Sequence, residues 1–215
     1  MMAPEGRIIL VPLLLLAVLA GVGLLLAPHP PWLQVVAGSI WVLAGLSLVF
    51  FRDPVRVPPT DPHAFVSPAD GKVVAIQPIG YDEHLGGEAL QIAIFLSLFN
   101  VHAQRVPADA WVDSTLYRPG RYLAAFKPRA SEENEQAVTY FTGNEGKFTV
   151  KQIAGTIARR VICHMRPNSS VRRGDRLGFI RFGSRVEIIV PADFRFQVKM
   201  GERVKGAATI IGYFA

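Results

Sequence analysis

The stretch from Ile8 to Phe51, IILVPLLLLAVLAGVGLLLAPHPPWLQVVAGSIWVLAGLSLVFF, decides the fold of this 215-residue chain. It consists of two runs of twenty uncharged residues, 8–27 and 32–51, separated by Pro28-His29-Pro30-Pro31. Each run has about the length that a helix needs to cross a hydrocarbon core of roughly 30 Å. Because proline ends helices, the linker predicts a turn between the two runs. The stretch therefore predicts a transmembrane helical hairpin.

Positive charge flanks this hairpin at both ends. Arg7 precedes the first run, Arg52 and Arg56 follow the second, and the connecting turn holds neither Lys nor Arg. The positive-inside rule then predicts that both ends, and the rest of the chain, lie on the cytoplasmic face of the cell membrane. Two alternatives stay open. One is a signal peptide, for which the first run is too long; the other is a hairpin buried inside a soluble core.

The remainder of the chain differs sharply in charge. Residues 1–51 hold only Glu5 and Arg7, whereas residues 52–215 hold 22 Lys/Arg and 16 Asp/Glu, and thus the whole net charge of +6. The split predicts a membrane-anchoring hairpin, 1–51, and one further domain, 52–215. The single cysteine excludes an intramolecular disulfide, and the absence of any CxxC pair excludes a structural zinc site of the usual spacing. We predict no metal.

Short β-branched or aromatic runs punctuated by Pro, Gly and Asp are typical of strands and turns. Eight strands are predicted: Gly71–Ile76, Ala89–Leu96, Trp111–Tyr117, Ala137–Thr142, Phe148–Ile153, Arg176–Phe182, Val186–Val190 and Thr209–Tyr213. Residues 131–136 are acidic and could begin a short helix, while residues 156–164 fit either helix or strand. The predicted fold class is therefore α+β, with an N-terminal transmembrane helical hairpin followed by a single β-rich domain.

Common catalytic and nucleotide-binding motifs are missing from the sequence. It has no HExxH and no GxSxG, and Gly146-Lys147-Phe148 lacks the spacing of a P-loop. Residues 178–182 match only the second half of an RNA-recognition pattern. The positive charge alone fits nucleic acid, an anionic lipid surface or a phosphate-bearing substrate. The apolar hairpin favours lipid, so we predict no nucleic-acid partner.

Three residues in polar turns are candidates for nucleophilic chemistry. Asp70 precedes a predicted strand, His102 follows an apolar one, and Ser184 follows Gly183 between two more. Asp, His and Ser are the parts of an activated nucleophile, and their order along the chain is immaterial. Spacing alone leaves structural roles open, because turn aspartates and Gly-Ser steps are common and a lone histidine at a strand end is usually structural.

Taken together, the motifs of this chain resemble those of the phosphatidylserine decarboxylase family in its short bacterial or archaeal form. They occur in one order: Phe50-Phe51-Arg52-Asp53-Pro54, Ser67-Pro68-Ala69-Asp70-Gly71, Asn100-Val101-His102, Arg105-Val106-Pro107, Gly120-Arg121-Tyr122, Ser131-Glu132-Glu133-Asn134-Glu135, Gln152-Ile153-Ala154-Gly155, and the segment 174–187. Each motif is weak by itself, but so many in one order are specific.

The resemblance implies a zymogen that makes its own cofactor. The family cleaves its chain at a Gly-Ser bond, here between Gly183 and Ser184, which would yield a large chain, 1–183, and a small chain, 184–215. The serine then becomes a covalent pyruvoyl group at the new N-terminus. In the self-processing triad that the resemblance implies, Ser184 is joined by Asp70 and His102.

One departure from the family pattern concerns the histidine motif. Long-form relatives carry a further histidine three residues after the position of His102, where this chain has Arg105. The resemblance therefore assigns the family's histidine functions to His102 alone.

The activity implied by the resemblance is that of a carboxy-lyase of phospholipid biosynthesis. It would convert phosphatidylserine to phosphatidylethanolamine and carbon dioxide through a Schiff base with the pyruvoyl group. Its partners would be phosphatidylserine in the membrane and the two chains of one precursor; homo-oligomer formation stays open. The alternatives are a pyruvoyl decarboxylase of a soluble amino acid, for which a membrane anchor has no use, and a non-enzymatic membrane-tethered β-domain.

Overall fold

A computed structural model of the chain describes residues 1–26, 28–156, 160–181 and 183–215. The chain divides into two compact units, Met1–Pro54 and Val55–Ala215. The first unit is helical and the second is built from β-strands. This arrangement confirms the predicted α+β class with an N-terminal apolar helical hairpin.

The first unit is a hairpin of two helices, α1 (Arg7–Leu26) and α2 (Pro31–Phe50). Both are long and apolar enough to cross a membrane. The start of α2 at proline follows from the fixed φ of that residue, which suits the first helical position. At the base of the hairpin, the Ala3 N–H donates to the Phe51 carbonyl oxygen over 2.8 Å. The predicted first run ended at Ala27, which lies outside the described residues.

The described part of the second unit contains fourteen strands and a short helix. They are β1 (Phe65–Val66), β2 (Gly71–Asp82), β3 (Gly87–Leu96), β4 (Ala103–Arg105), β5 (Ala110–Arg118), α3 (Ala130–Glu133), β6 (Gln136–Gly143), β7 (Lys147–Ile153), β8 (Val161–Cys163), β9 (Ser169–Val171), β10 (Arg176–Ile180), β11 (Ser184–Pro191), β12 (Arg195–Phe196), β13 (Arg203–Val204) and β14 (Ile210–Tyr213). Each of the eight predicted strands overlaps one of these.

The strands form three antiparallel sheets. The largest has the order β13-β2-β3-β11-β7-β6-β5-β9, and two three-stranded sheets have the orders β1-β14-β12 and β4-β10-β8. Strand β11 lies between β3 and β7 in the middle of the large sheet, and all its residues from Ser184 to Val190 are buried. A strand covered on both faces is apolar along most of its length, as the run Val186 to Val190 is apart from Glu187.

Three differences from the predicted elements have local causes. The acidic segment 131–136 forms only the four-residue helix α3, because Gln136 already begins β6. The ambiguous segment 156–164 contains the strand β8, which pairs with β10, while residues 157–159 lie outside the described residues. The strand predicted to reach Phe182 ends at Ile180, and Phe182 itself lies outside the described residues.

Candidate active site

The Gly183-Ser184 step lies where the chain passes from one sheet to another. Strand β10 belongs to a three-stranded sheet and ends at Ile180, whereas β11 begins at Ser184 in the large sheet. Gly183 has a φ of 70°, a left-handed conformation that glycine adopts without the steric cost of a side chain. A glycine is thus required by the turn immediately before the serine.

The hydroxyl of Ser184 is buried without a hydrogen-bond partner among the described residues. The residue is 0% exposed, and within the described part of the chain its Oγ atom has no hydrogen-bond partner. Leaving a buried hydroxyl unsatisfied costs about 1–3 kcal/mol. Native structures hold few such atoms, and they call for an explanation such as a catalytic role.

His102 lies against this step with its ring fully buried. Its Nδ1 atom is 2.9 Å from the carbonyl oxygen of Asn100, and its Nε2 atom is 3.3 Å from the backbone nitrogen of Gly183. A carbonyl oxygen only accepts hydrogen bonds, so Nδ1 carries the proton. Nε2 then accepts the Gly183 N–H with its lone pair. The accepting nitrogen of the ring therefore faces the Gly183-Ser184 step.

Amide side chains and a tight turn hold His102 in this orientation. Ser97 donates from its backbone nitrogen and its Oγ to Oδ1 of Asn100, over 2.9 and 2.7 Å. The Gln104 amide donates to the His102 carbonyl oxygen over 2.6 Å, and the Gln152 amide donates to Oε1 of Gln104 over 2.9 Å. In the sequence, the side chains that hold His102 could be recognised only as polar residues beside an apolar strand.

The carbonyl group of Gly183 is packed against the backbone of Gly155. A Cβ atom at position 155 would lie only 2.2 Å from the Gly183 oxygen. Any larger residue at position 155 would therefore have to displace this carbonyl or its neighbours. Sequence reasoning included Gly155 in a motif but assigned it no role, because a close approach between segments distant along the chain leaves no local pattern.

Asp70 makes a different set of contacts from those expected of a residue that orients His102. Its two carboxylate oxygens accept from the Arg56 guanidinium over 2.5 and 2.7 Å, and Oδ1 also accepts the Gly206 N–H over 2.8 Å. Such a bidentate pair is among the stronger hydrogen-bonded arrangements. The structure brings His102 together with Gly183 and Ser184, and it places Asp70 in an ion pair with Arg56. The catalytic role of Asp70 stays a prediction.

A buried charged network fixes the strand that follows Ser184. Glu187, which is 0% exposed, accepts from Nε of Arg185 and Oγ of Ser131 over 2.5 Å each. Its other oxygen accepts from the Gln91 amide over 2.6 Å. These bonds tie β11 to β3 and to the start of α3, so the segment beginning at Ser184 is firmly held.

An apolar cavity of about 340 Å³ opens beside Gly183. Its wall consists mainly of apolar side chains: Phe95, Leu96, Leu98, Phe99, Ala124, Ala125 and Phe126, together with Ser97, Thr156 and Gly183. Phe99 and Phe126 are 73% and 62% exposed, so the rim of the cavity is apolar as well. The cavity, called here the apolar cavity, suits a ligand with a hydrocarbon part.

Two surface groups away from this region have shifted pKa values. A hydrogen bond that His63 donates to the Glu145 carboxylate, together with the negative charge of that carboxylate, raises the pKa of His63. A hydrogen bond to Asp61, with partial burial, raises the pKa of Tyr213. Among the described residues, no group of three or more His, Cys, Asp or Glu side chains could hold a metal ion.

Comparison with known proteins identifies the family. A family model described as phosphatidylserine decarboxylase matches residues 43–212. The chain belongs to the phosphatidylserine decarboxylase family. The resemblance found in the motifs is thereby confirmed.

Three relatives in this family bear the name phosphatidylserine decarboxylase proenzyme. The protein from Desulfotalea psychrophila is 43% identical over 175 residues, which cover 80% of this chain and 82% of the relative. Those from Nitrosomonas eutropha and Burkholderia mallei are 43% and 44% identical over 176 residues, covering 81% of each chain. The match spans both the His102 turn and the Gly183-Ser184 step of this phosphatidylserine decarboxylase family member.

Proposed function

We propose that this chain is a self-cleaving, pyruvoyl-dependent phosphatidylserine decarboxylase, a carboxy-lyase that forms phosphatidylethanolamine and carbon dioxide. The observation that carries the proposal is the hydrogen bond from the Gly183 N–H to His102 Nε2, beside the Ser184 hydroxyl, which has no hydrogen-bond partner among the described residues. The relatives' name, proenzyme, supports a precursor that is processed. Family membership supports the substrate.

The first reaction is the cleavage of the chain between Gly183 and Ser184. His102 Nε2 accepts the proton of Ser184 Oγ, which attacks the Gly183 carbonyl carbon, and the proton passes to the nitrogen that leaves. An ester thus replaces the peptide bond. Loss of the Ser184 α-proton expels the Gly183 carboxylate and leaves dehydroalanine, and addition of water then releases ammonia and yields the pyruvoyl group.

The residues around Ser184 fit this self-made group. Among the described residues the Ser184 Oγ atom has no hydrogen-bond partner and is available as the nucleophile, and Nε2 of His102 is available as the base because Nδ1 donates to the Asn100 carbonyl oxygen. Gly155 lies against the carbonyl that is attacked and limits its movement. Fixing the reacting atoms close to the attack geometry contributes a large part of such a rate.

We further propose that the chains 1–183 and 184–215 stay associated after cleavage. Strand β11 of the small chain pairs with β3 on one side and β7 on the other, both of which belong to the large chain. Strands β13 and β14 pair with β2 and β1 in the same way. Breaking one peptide bond leaves all these ladders intact.

In turnover, the pyruvoyl group supplies a ketone that binds the substrate amine and accepts the electrons released as carbon dioxide departs. The neighbouring His102 is placed to deliver a proton from Nε2 to the carbon that loses carbon dioxide. The apolar side chains of the cavity beside Gly183 surround the position of the leaving carboxylate with few polar groups. Asp70 is proposed as the third member of the processing group on the strength of its motif position.

The apolar hairpin supports a location at the cell membrane, because both helices are long enough to span it. We propose that residues 52–215 lie on the cytoplasmic face, since Arg7, Arg52 and Arg56 flank the hairpin at its two ends.

The proposal is tested with the full chain purified in detergent. Mixed micelles of phosphatidylserine are expected to release carbon dioxide and accumulate phosphatidylethanolamine, while free serine at the same concentration yields neither. The matched control is Ser184→Ala, which should be inactive. Equal turnover of free serine would favour a decarboxylase of soluble amino acids. An inert but folded wild-type chain would favour a membrane-tethered binding domain.

A further inference from the structure

A second cavity, of about 540 Å³, lies on the other side of the wall formed by Phe95, Ser97 and Phe99. These three residues line both this cavity and the apolar cavity beside Gly183. The second cavity is also lined by the basic residues Lys72, Arg203 and Lys205, and is called here the cationic cavity. An apolar and a positively charged compartment thus share a wall next to the proposed cleavage site.

The strand register pairs two of the basic residues, and the third follows directly after the strand. Arg203 of β13 is the direct antiparallel partner of Lys72 of β2, and both side chains are exposed. The next pair, Val204 and Gly71, is buried, and Lys205, which directly follows the last residue of β13, is exposed again. Like charges placed directly opposite each other on neighbouring strands are destabilising.

Within the described residues, no carboxylate compensates this charge. The ion pairs found there do not involve Lys72, Arg203 or Lys205. Asp70 also lines the cavity, but both its oxygens are bound to Arg56. Three cations therefore share one concave site, an arrangement that a bound anion would stabilise.

We infer that Lys72, Arg203 and Lys205 bind the phosphate of the phospholipid substrate in the cationic cavity. This inference rests on the proposed function and names the residues that recognise its substrate. A phosphodiester group offers acceptor oxygens to the ammonium groups of lysine and to the planar fork of arginine. A phospholipid joins an anionic group to apolar chains, and the two adjoining cavities match that combination.

The test compares two triple variants of the full chain with wild type. Lys72→Gln/Arg203→Gln/Lys205→Gln removes the proposed site, and Arg118→Gln/Arg195→Gln/Lys199→Gln removes the same charge from exposed positions elsewhere. The substrate is a short-chain phosphatidylserine kept below its micelle concentration, so that no lipid surface is present. We expect KM of the first variant to rise about tenfold or more, with kcat within about twofold of wild type, and KM of the second to stay unchanged.

Cleavage before Ser184 separates failure of this inference from failure of the proposed function. Cleavage does not use the substrate phosphate, so both triple variants should be processed as wild type is. If the triple variant folds poorly, the single variant Lys205→Gln takes its place in the test. Because Lys205 is exposed, this variant should fold, and we expect it to raise KM severalfold. A wild-type KM for processed variants would overturn the inference. The inference would also be overturned if activity fell only on anionic vesicles and fell equally in both triple variants. That result would indicate general attraction to a charged surface. A wild-type chain that neither cleaves nor decarboxylates would instead overturn the proposed function.

Discussion

Two regions of the β-domain use opposite kinds of interaction. At the cleavage corner, the ring of His102, the backbone of Gly183 and the hydroxyl of Ser184 meet, and the ring nitrogens contact the Asn100 carbonyl oxygen and the Gly183 N–H. At the Asp70 corner, a carboxylate is bound bidentately by Arg56 and lies in a cavity lined by basic side chains. The first region is suited to making and breaking bonds and the second to receiving a charged group.

The orientation of His102 follows from what a general base requires. Nε2 must keep its lone pair to accept the Ser184 proton, so the proton of the ring has to lie on Nδ1. Bonding of Nδ1 to the Asn100 carbonyl oxygen fixes the tautomer without adding a charge. The basic side chains instead line the cationic cavity, where they could bind a phosphate.

The largest expected effect is that of Ser184→Ala at the cleavage corner. Cleavage and decarboxylation should both be lost completely, because the variant lacks the nucleophile and the precursor of the pyruvoyl group. Thermal stability should not fall, since the Oγ atom has no hydrogen-bond partner within the described residues. Gel electrophoresis, lipid analysis and a thermal melt measure the three quantities, with Ser170→Ala at an exposed site as control. Cleavage of the Ser184→Ala chain at its normal position would contradict the assignment.

His102→Ala should slow cleavage by about 10²–10⁴-fold, the usual contribution of a positioned acid or base. The rate is measured by following the uncleaved precursor after synthesis in a cell-free system. His164→Ala, at an exposed position, is the matched control. A normal rate in the His102 variant would remove the imidazole from the processing mechanism.

Gly155→Ala changes the position of the Gly183 carbonyl at the cleavage corner without altering any charge in either region. Its Cβ would lie 2.2 Å from the Gly183 oxygen, so the carbonyl must shift. We expect cleavage to slow by about tenfold or more and stability to fall by about 1–3 kcal/mol. Gly87→Ala is the control, because no atom lies within 4 Å of a Cβ there. Equal behaviour of the two variants would show that the close approach has no role.

Variants at the Asp70 corner test whether the two regions are independent. Arg56→Gln and Asp70→Asn both break a largely buried ion pair and should each lower the free energy of unfolding by about 3 kcal/mol. If Asp70 takes part in processing, Asp70→Asn also slows cleavage, whereas Arg56→Gln does not. Denaturant titration of the uncleavable Ser184→Ala background gives the stabilities. Equal slowing by both changes would mean that Asp70 acts only as half of a structural pair.

The smallest expected effect lies at the exposed pair His63 and Glu145. The hydrogen bond with Glu145 raises the pKa of His63, so the pair stabilises the fold fully below the unfolded pKa of about 6.5. That contribution is lost as pH rises through the folded pKa. Because the His63 side chain is 71% exposed, the change in stability should be slight. An NMR titration of the ring should give a lower pKa in Glu145→Gln; an unchanged value would contradict the contact.

The sequence was sufficient for features that depend on local pattern. Apolar runs long enough to span a membrane as helices predicted α1 and α2, and short β-branched or aromatic runs separated by Pro, Gly and Asp predicted the eight strand positions. The ordered motifs predicted the family. Short strands such as β4 and β13 were missed, because two or three residues carry no periodicity of their own.

Contacts between distant segments could not be predicted in the same way. The pairing of Asp70 with Arg56 and the packing of Gly155 on Gly183 depend on how the sheets assemble. The cationic cavity likewise arises from the register of β13 on β2, which places Arg203 opposite Lys72. The motif order indicated which residues matter, and the three-dimensional arrangement indicated how they are grouped.

The intact mass of the purified full chain shows whether the protein cleaves its own chain before Ser184. We expect two fragments, 1–183 and 184–215, that separate only under denaturing conditions. The smaller fragment should be lighter than a fragment with a serine N-terminus by the mass of ammonia. After reduction with cyanoborohydride in the presence of phosphatidylserine, the small fragment should gain the mass of the lipid less one oxygen atom, because condensation loses water and reduction adds two hydrogens, and less carbon dioxide as well where decarboxylation comes first. A single uncleaved 215-residue species whose mass phosphatidylserine leaves unchanged, or a break at another bond, would contradict the account.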